Sequence, residues 1–184
     1  MKKIIIDGLL TRLEEITEID SEYICKLRNN PKNNQFLSAS INISIENQKN
    51  WINLNKHKNN SLYFKIIEKR TDCSVGTISI YEINNSAAEF GRYICEKTIQ
   101  AIEAEYMILK YGFDIIGLNR IFCRTDEKNR HVWTQHYKYG FKDFGTEIVV
   151  DRNAVLRVQE IWKSEYKQFN YKPILSLLQK FAER

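Results

Sequence analysis

The sequence predicts one α/β domain with a central mixed, mostly antiparallel sheet flanked by helices. Three observations predict it. Short apolar runs separated by Asn-rich turns fill residues 61 to 95, as successive hairpin strands would. An extended run, AAEFGRYI, then passes through the polar corner CEKTIQ into a helical pattern. A second apolar run, RIFCRT, follows that helix, so the middle of the chain reads strand, corner, helix, strand, short helix.

The chain has 184 residues, enough for one sizeable core and too few for two ordinary domains, so residues 1–184 are read as a single unit. Hydrophobic residues make up 43% and charged residues 28%, a globular balance. The net charge of +5 is modest and scattered, which favours an anionic ligand but shows no basic stripe or module for nucleic acid. Cys25, Cys73, Cys95 and Cys123 form no CxxC pair and fit a reducing compartment. The N-terminus MKKIIIDGLL lacks the long apolar region of a signal peptide, and no run reaches membrane-spanning length. A cytoplasmic protein without a membrane partner is expected.

Ile4-Ile5-Ile6 with Leu9, Leu10 and Leu13 reads as a first strand broken at Asp7-Gly8. Asp20 or Ser21 caps a helix through Tyr23, Ile24 and Leu27, which ends near Asn30 because Pro31 disfavours helix in the residue before it. Residues 33 to 44 carry Phe36, Leu37, Ile41 and Ile43 without a firm period. Ser44 opens a helix with Asn47 in the capping-box position, and Trp51 on its apolar side is a core anchor or a ligand platform. SLYFKIIE and Ser74 to Tyr81, with Gly76 inside, are strands, and Asn84-Asn85 turns the chain into the strand carrying Glu89.

Ile102, Tyr106, Leu109, Phe113 and Ile116 alternate at steps of four and three, one helix face, and Gly117 stands where a left-handed residue would stop that helix. Thr146 to Val150 and Ala154 to Trp162 read as two strands around Asp151-Arg152-Asn153. Glu165 to Phe169 is helical, and residues 173–184 form an amphipathic helix opened by Pro173. Its face of Ile174, Leu177, Leu178 and Phe181 packs on the domain itself or on a second subunit, leaving a homodimer open.

The stretch from Glu89 to Phe141 resembles the core of the GNAT superfamily of acyl-CoA-dependent N-acyltransferases. The residues that carry the resemblance are Glu89-Phe90-Gly91, Lys110-Tyr111-Gly112-Phe113, Gly117-Leu118-Asn119-Arg120-Ile121, and Asn129 followed by Tyr139-Gly140-Phe141. Upstream, Leu27-Arg28-Asn29-Asn30-Pro31 and Trp51 also match, so the resemblance spans roughly residues 8 to 165. Within the superfamily the chain is most similar to the nucleotide-amino-sugar N-acetyltransferases of pseudaminic-acid and O-antigen sugar biosynthesis, and more distantly to ribosomal-protein N-terminal acetyltransferases. The resemblance implies acetyl-CoA or a longer acyl-CoA as co-substrate, no metal, and a small-molecule amine as acceptor.

Residue by residue, it implies backbone amides of Lys97, Thr98, Ile99, Gln100 and Ala101 on the pyrophosphate. Such a corner suits phosphate because a helix N-terminus presents free N–H groups and a positive dipole end. Backbone near Tyr93, Ile94 and Cys95 would hold the thioester oxygen. Asn129 would hold the pantetheine arm, and Arg28 and Asn29 would face the acceptor. Arg28 is equally suited to clamp a phosphate or to tie helix to loop. Two departures stand out. The family's phosphate loop has Gln or Arg, then Gly, then Gly or Ala, where this chain has Glu96, Ile99 and Ala101 in a corner about one residue shorter. A side chain at Ile99 is expected to obstruct the pyrophosphate, with Lys97 offsetting part of the loss. The family's tyrosine seven residues after the asparagine is replaced by His136, with Tyr137 next to it.

Amine acylation needs a base to free the lone pair and an acid for the leaving thiolate. Glu89 is the expected base, directly or through water, its alternative being a structural strand glutamate. Tyr137 is the expected acid, with His136 as the alternative because imidazole titrates near neutrality. No Cys–His–acid arrangement is legible around Cys95 or Cys123, so direct attack is expected. His57, His131 and His136 have no metal-ligand spacing. The competing functions are protein N-terminal acetylation and a degenerate, non-catalytic GNAT binding module.

Overall fold

The computed structural model describes residues 3–37, 42–56 and 58–183; Ile41 and His57 lie outside them, and the side chain of Arg152 is not described. The elements in chain order are β1 (Ile5–Asp7), β2 (Thr11–Glu15), α1 (Ser21–Asn29), α2 (Pro31–Asn34), α3 (Ile45–Lys56), β3 (Ser61–Glu68), β4 (Cys73–Tyr81) and β5 (Ala87–Cys95). Then come α4 (Thr98–Lys110), β6 (Arg120–Asp126), α5 (Arg130–His136), β7 (Lys142–Val149), β8 (Ala154–Trp162), α6 (Lys163–Gln168) and α7 (Lys172–Ala182).

Among the described residues the strands form one sheet in the order β1-β2-β3-β4-β5-β6-β8-β7. Every pairing is antiparallel except β5 with β6, the crossover made by α4. The expected mixed, mostly antiparallel sheet is therefore present. The first strand is not one broken strand but a hairpin. Gly8 N–H donates to Thr11 O, and Ile5, Ile6 and Asp7 pair with Glu14, Leu13 and Arg12. Glu103 of α4 stabilises that turn by accepting from the N–H groups of Leu9 and Leu10.

The main core lies between the sheet and α4, with Phe64, Ile78, Ile80, Phe90, Ile108, Leu109, Phe113 and Ile121 fully or almost fully buried. Helix α4 buries more than the expected stripe. Ala104, Met107 and Ile108 face the core most directly, while Ile102 and Tyr106 pack at its margin, because α7 covers that flank with Ile174 and Leu178. The intramolecular packing of α7 answers half of what its apolar face left open. A π-helical turn over Tyr111–Ile116 extends α4, and Gly117 at φ 85° ends it as expected. Pro31 closes α1 and also opens α2, where the missing N–H costs nothing. Ser44 Oγ accepts from Asn47 N–H at 3.1 Å, the cap expected for α3.

Candidate active site

β5 and β6 run side by side for three residue pairs only, Ala87 with Arg120, Ala88 with Ile121 and Glu89 with Phe122. Beyond Glu89 no pairing joins them, so the middle of the sheet opens there. On the other edge of β5, the ladder with β4 skips from Gly91–Ser79 to Ile94–Thr77. Arg92 and Tyr93 thus form a bulge, with Arg92 in the left-handed region at φ 47°. Gly76 lets the strands meet at its end, since a Cβ there would lie 2.3 Å from Ile94 O.

The open end of β5 forms one wall of a cavity of about 810 Å³, closed by α1, the segment before α3, α3 itself and the β7–β8 end. Glu89, only 3% exposed, lies on this wall and receives the guanidinium of Arg124. Arg124 also reaches Glu82 at 3.4 Å and Glu147 at 3.6 Å. The Glu89 hydrogen bond, ahead of opposing burial, raises the pKa of Arg124. Burial first, then Glu89, pushes the Tyr81 hydroxyl up, and Tyr81 joins Glu89 on the cavity wall. Gly91 accommodates that ring, because a Cβ would stand 3.0 Å from the Tyr81 oxygen.

Arg28 lines the cavity, whereas Asn29 does not. The Asn29 amide is spent on the backbone of Ile43, donating to its carbonyl and accepting from its N–H, both at 2.9 Å. It positions the loop that carries Asn42 and Ile43 to the cavity. Trp51 packs on the core side and also borders the cavity. Its ring meets Tyr63 edge-on at 5.8 Å and also lines the cavity.

At the α4 corner, Lys97 is the N-cap residue, and Tyr93 reaches over to donate its hydroxyl to Ala101 O at 2.8 Å. The Ile99 side chain packs against the main core, which corrects the expectation that it obstructs the approach to the helix N-terminus. A different obstacle is present. The buried carboxylate of Glu68 accepts from Lys97 Nζ at 2.6 Å and Gln100 Nε2 at 3.0 Å. Lys97 is thus neutralised from within the chain and does not stand free to offset Glu96. The Asn129 side chain, at the N-cap of α5, makes no cap hydrogen bond.

The two acid candidates both lie away from the cavity wall. Tyr137 is 38% exposed and donates its hydroxyl to Asp143 at 2.9 Å. His136 is only 2% exposed, wedged against Phe90 and Phe141. Burial lowers its pKa to about 4 against an opposing hydrogen bond that its Nδ1–H donates to Gln159 Oε1, so the expectation of an imidazole titrating near neutrality is corrected. A Cys–His–acid arrangement also exists, contrary to expectation. Cys123 Sγ lies 3.2 Å from His136 Nδ1, and Glu105 Oε1 lies 4.0 Å from His136 Nε2. Burial drives the Cys123 thiol and the Glu105 carboxyl well above their ordinary values, so the group is neutral where a nucleophile needs a thiolate.

An opened β5–β6 pair, a bulge on β5 and a helix N-terminus just after that strand thus stand together. The family model for the acetyltransferase (GNAT) domain matches residues 11–142. The chain belongs to the GNAT acetyltransferase family. No curated protein sequence matches it. Among solved structures, this GNAT domain is similar to apo FdhC, described as a nucleotide-linked sugar GNAT, at 24% identity and TM-score 0.78, covering 95% of this chain and 98% of that one. It is also similar to a spermidine N-acetyltransferase from Vibrio cholerae in complex with CoA and spermine, at 20% identity and TM-score 0.78, covering 87% and 99%. A GCN5-related N-acetyltransferase from Brucella melitensis superposes at 17% identity and TM-score 0.77, covering 99% and 86%. At these identities the structures establish the fold.

As a GNAT acetyltransferase the protein has an acyl-CoA co-substrate, and the residues present fit it in part. The α4 N-terminus, the uncommitted Asn129 amide and the β5 bulge suit it, while the Glu68 carboxylate beneath the α4 start works against an anion. Sequence reasoning missed Tyr81, Arg92 and Arg124. Arg124 carried a faint signal, lying an even number of residues beyond Phe122 on a strand adjacent to that of Glu89.

Proposed function

We propose that the protein transfers an acetyl or longer acyl group from acyl-CoA to the primary amine of a nucleotide-linked amino-dideoxysugar, by direct attack on the thioester. The observation that carries the reading is Glu89, a buried carboxylate at the last rung before β5 and β6 part, on the wall of an 810 Å³ cavity. An incoming ammonium loses its proton there, to Glu89 or through a water, and its lone pair is freed. Arg124 compensates the Glu89 charge and fixes the side chain. The thioester oxygen would be held by backbone N–H at or near the Arg92–Tyr93 bulge, which the β4 ladder skips, on the stretch of β5 that runs to Cys95. Backbone of Lys97, Thr98, Ile99, Gln100 and Ala101 with Asn129 would hold the CoA arm. Arg28, at the far side of the cavity, would face the acceptor, with Asn29 setting the loop beside it. Of the acid candidates, Tyr137 would have to release Asp143 to reach a thiolate; otherwise the thiolate leaves unassisted. The nucleotide-sugar acceptor rests on the family resemblance and on what FdhC's description says of FdhC.

A second reading, a GNAT-shaped binding module, is favoured by one observation, the Glu68 carboxylate that captures Lys97. Calorimetric titration with acetyl-CoA, free CoA and a longer acyl-CoA separates the two. Micromolar binding supports the enzyme, and preference for the longer chain shifts the donor away from acetyl. No binding to any of the three rejects catalysis. With binding in hand, Glu89→Gln is expected to lower kcat about 100-fold or more while CoA affinity is kept.

A further inference from the structure

The cavity has two chemically different ends. Glu89 and Arg124 occupy one. At the other, hydrogen-bond donors outnumber their acceptors. Gln48 is 2% exposed, yet its Nε2 has no hydrogen-bond partner, and the buried Nε of Arg28 has none either. Arg92 extends from the bulge between two rings, its Cζ 3.9 Å from the Tyr81 centroid and 4.8 Å from the Trp51 centroid. Its Nη1 donates to Ser61 Oγ at 3.1 Å and Ser79 Oγ at 3.4 Å, which holds the guanidinium plane and leaves its other N–H groups uncommitted. Among the described residues no carboxylate lies within ion-pairing distance of Arg28 or Arg92.

Both arginines are half-buried, and drawing a guanidinium part-way out of water without an anion is costly, the more so with a second beside it. Burial, and further the nearby charge of Arg28, depresses the pKa of Arg92. Backbone strain adds to that, because a non-glycine residue at φ 47° is disfavoured by about 1 kcal/mol. Neighbouring serines and aromatic rings hold this arrangement in place, and what it lacks is an anion.

We propose that Arg92, with Arg28 and Gln48, forms the site for a phosphate group of the acceptor, and that this site selects anionic amines over polyamines. The proposal deepens the acyltransferase reading and rests on it for the word acceptor; the anion site itself can be measured without turnover. An arginine fork suits phosphate oxygens, and the stacked rings keep the fork from rotating. Charge then sorts the substrate. Phosphate at the arginine end places an amine of the same molecule at the Glu89 end, whereas a polyamine would meet two guanidiniums.

The test is calorimetric titration of the full chain, saturated with CoA so that the CoA phosphate corner is filled, with UDP, pyrophosphate, uridine and spermidine. UDP and pyrophosphate are expected to bind and uridine and spermidine not to. Arg92→Gly removes the side chain while relieving the left-handed backbone, so a folded variant is expected. It should weaken UDP by about 10- to 100-fold. Arg92→Lys should recover part of that loss. Equal UDP affinity in Arg92→Gly and the parent, no binding of UDP or pyrophosphate, or spermidine binding in competition with UDP would each overturn the proposal. Failure of CoA itself to bind rejects the acyltransferase reading instead, and UDP titration without CoA then still decides the anion site.

Discussion

Glu105→Gln should make the protein progressively more stable than the parent as pH rises. Glu105 has no exposure, and neither of its carboxyl oxygens has a hydrogen-bond partner among the described residues. Its neighbour His136 is equally buried, with an unpartnered Nε2 4.0 Å away. Burial raises the Glu105 pKa well above its ordinary 4.5, only partly opposed by Lys138, and lowers that of His136 to about 4 from 6.5. The folded pair therefore holds one proton, on Glu105, across a wide range. The unfolded pair holds two protons below pH 4.5, one between 4.5 and 6.5, and none above 6.5. Stability falls with pH wherever the folded state binds more protons, so the parent is flat between 4.5 and 6.5. Above 6.5 this pair costs about 1.4 kcal/mol per pH unit, until the folded value of Glu105 is passed.

In Glu105→Gln the folded pair holds no proton above about pH 4, so His136 makes the variant more stable from there up to 6.5 and has no effect beyond. The difference between variant and parent thus grows by about 1.4 kcal/mol per pH unit from 4.5 upward until the folded value of Glu105 is passed, and other titrating groups cancel from it. For a domain of this size that is roughly 3 to 6 °C in Tm per pH unit. Urea unfolding of both proteins at half-unit intervals from pH 5.5 to 8.5 reads the slope directly. Parallel curves would refute the reasoning, because they would mean that Glu105 is ionised in the fold and has a cation or water the structure does not show.

Gly76→Ala should destabilise the protein by about 1–3 kcal/mol in urea, since the new methyl meets Ile94 O at 2.3 Å and Cys95 Cα at 2.8 Å, both backbone. Acetyl-CoA affinity should fall with it, because those residues form the end of β5. Gly117→Ala should cost about 1 kcal/mol by chemical denaturation with kcat unchanged, as φ 85° opposes a side chain that otherwise enters open space. Glu68→Gln should lower the KM for acyl-CoA several-fold in steady-state kinetics, leaving the acceptor KM alone, by releasing Lys97 and removing a carboxylate whose pKa Lys97 holds down.

Local signals carried most of the fold. The stop at Gly117, the cap at Ser44 and the hairpin strands from Ser61 to Cys95 depend on neighbours in sequence, and each stands where propensity places it; Asp20 stands at the start of α1, but its carboxylate turns back to Thr17 and Lys65 and does not cap the helix. The first hairpin was illegible because Asp7-Gly8 resembles an interruption as much as a turn, and part of what secures it, Glu103, lies some 90 residues on. The cavity was hidden for the same reason on a larger scale. Arg28 comes from α1, Gln48 from α3 and Arg92 from β5, and their convergence is a tertiary fact. The left-handed φ of Arg92 had no local sign at all, since arginine is not a residue that favours it.

The placement of chemistry at the opening of the sheet follows from strand alternation. On β6, Ile121 and Cys123 turn inward, where Cys123 meets His136 and Glu105 in a dry and neutral cluster. Phe122 and Arg124 turn the other way, and Arg124 meets Glu89 on the cavity wall. One residue of register thus separates a Cys–His–Glu set with catalytic spacing from a Glu–Arg pair with access to a substrate. Spacing alone would favour the first set, because it contains a nucleophile, a base and an acid. Electrostatics reverses the choice. A thiol without a nearby cation, a histidine that stays uncharged and a carboxyl that stays protonated cannot produce a thiolate, whereas Glu89 has its charge compensated by Arg124 and opens onto 810 Å³ of cavity. The inner set accordingly belongs to stability, as its pH slope will report, and the outer pair is the one we propose for the amine.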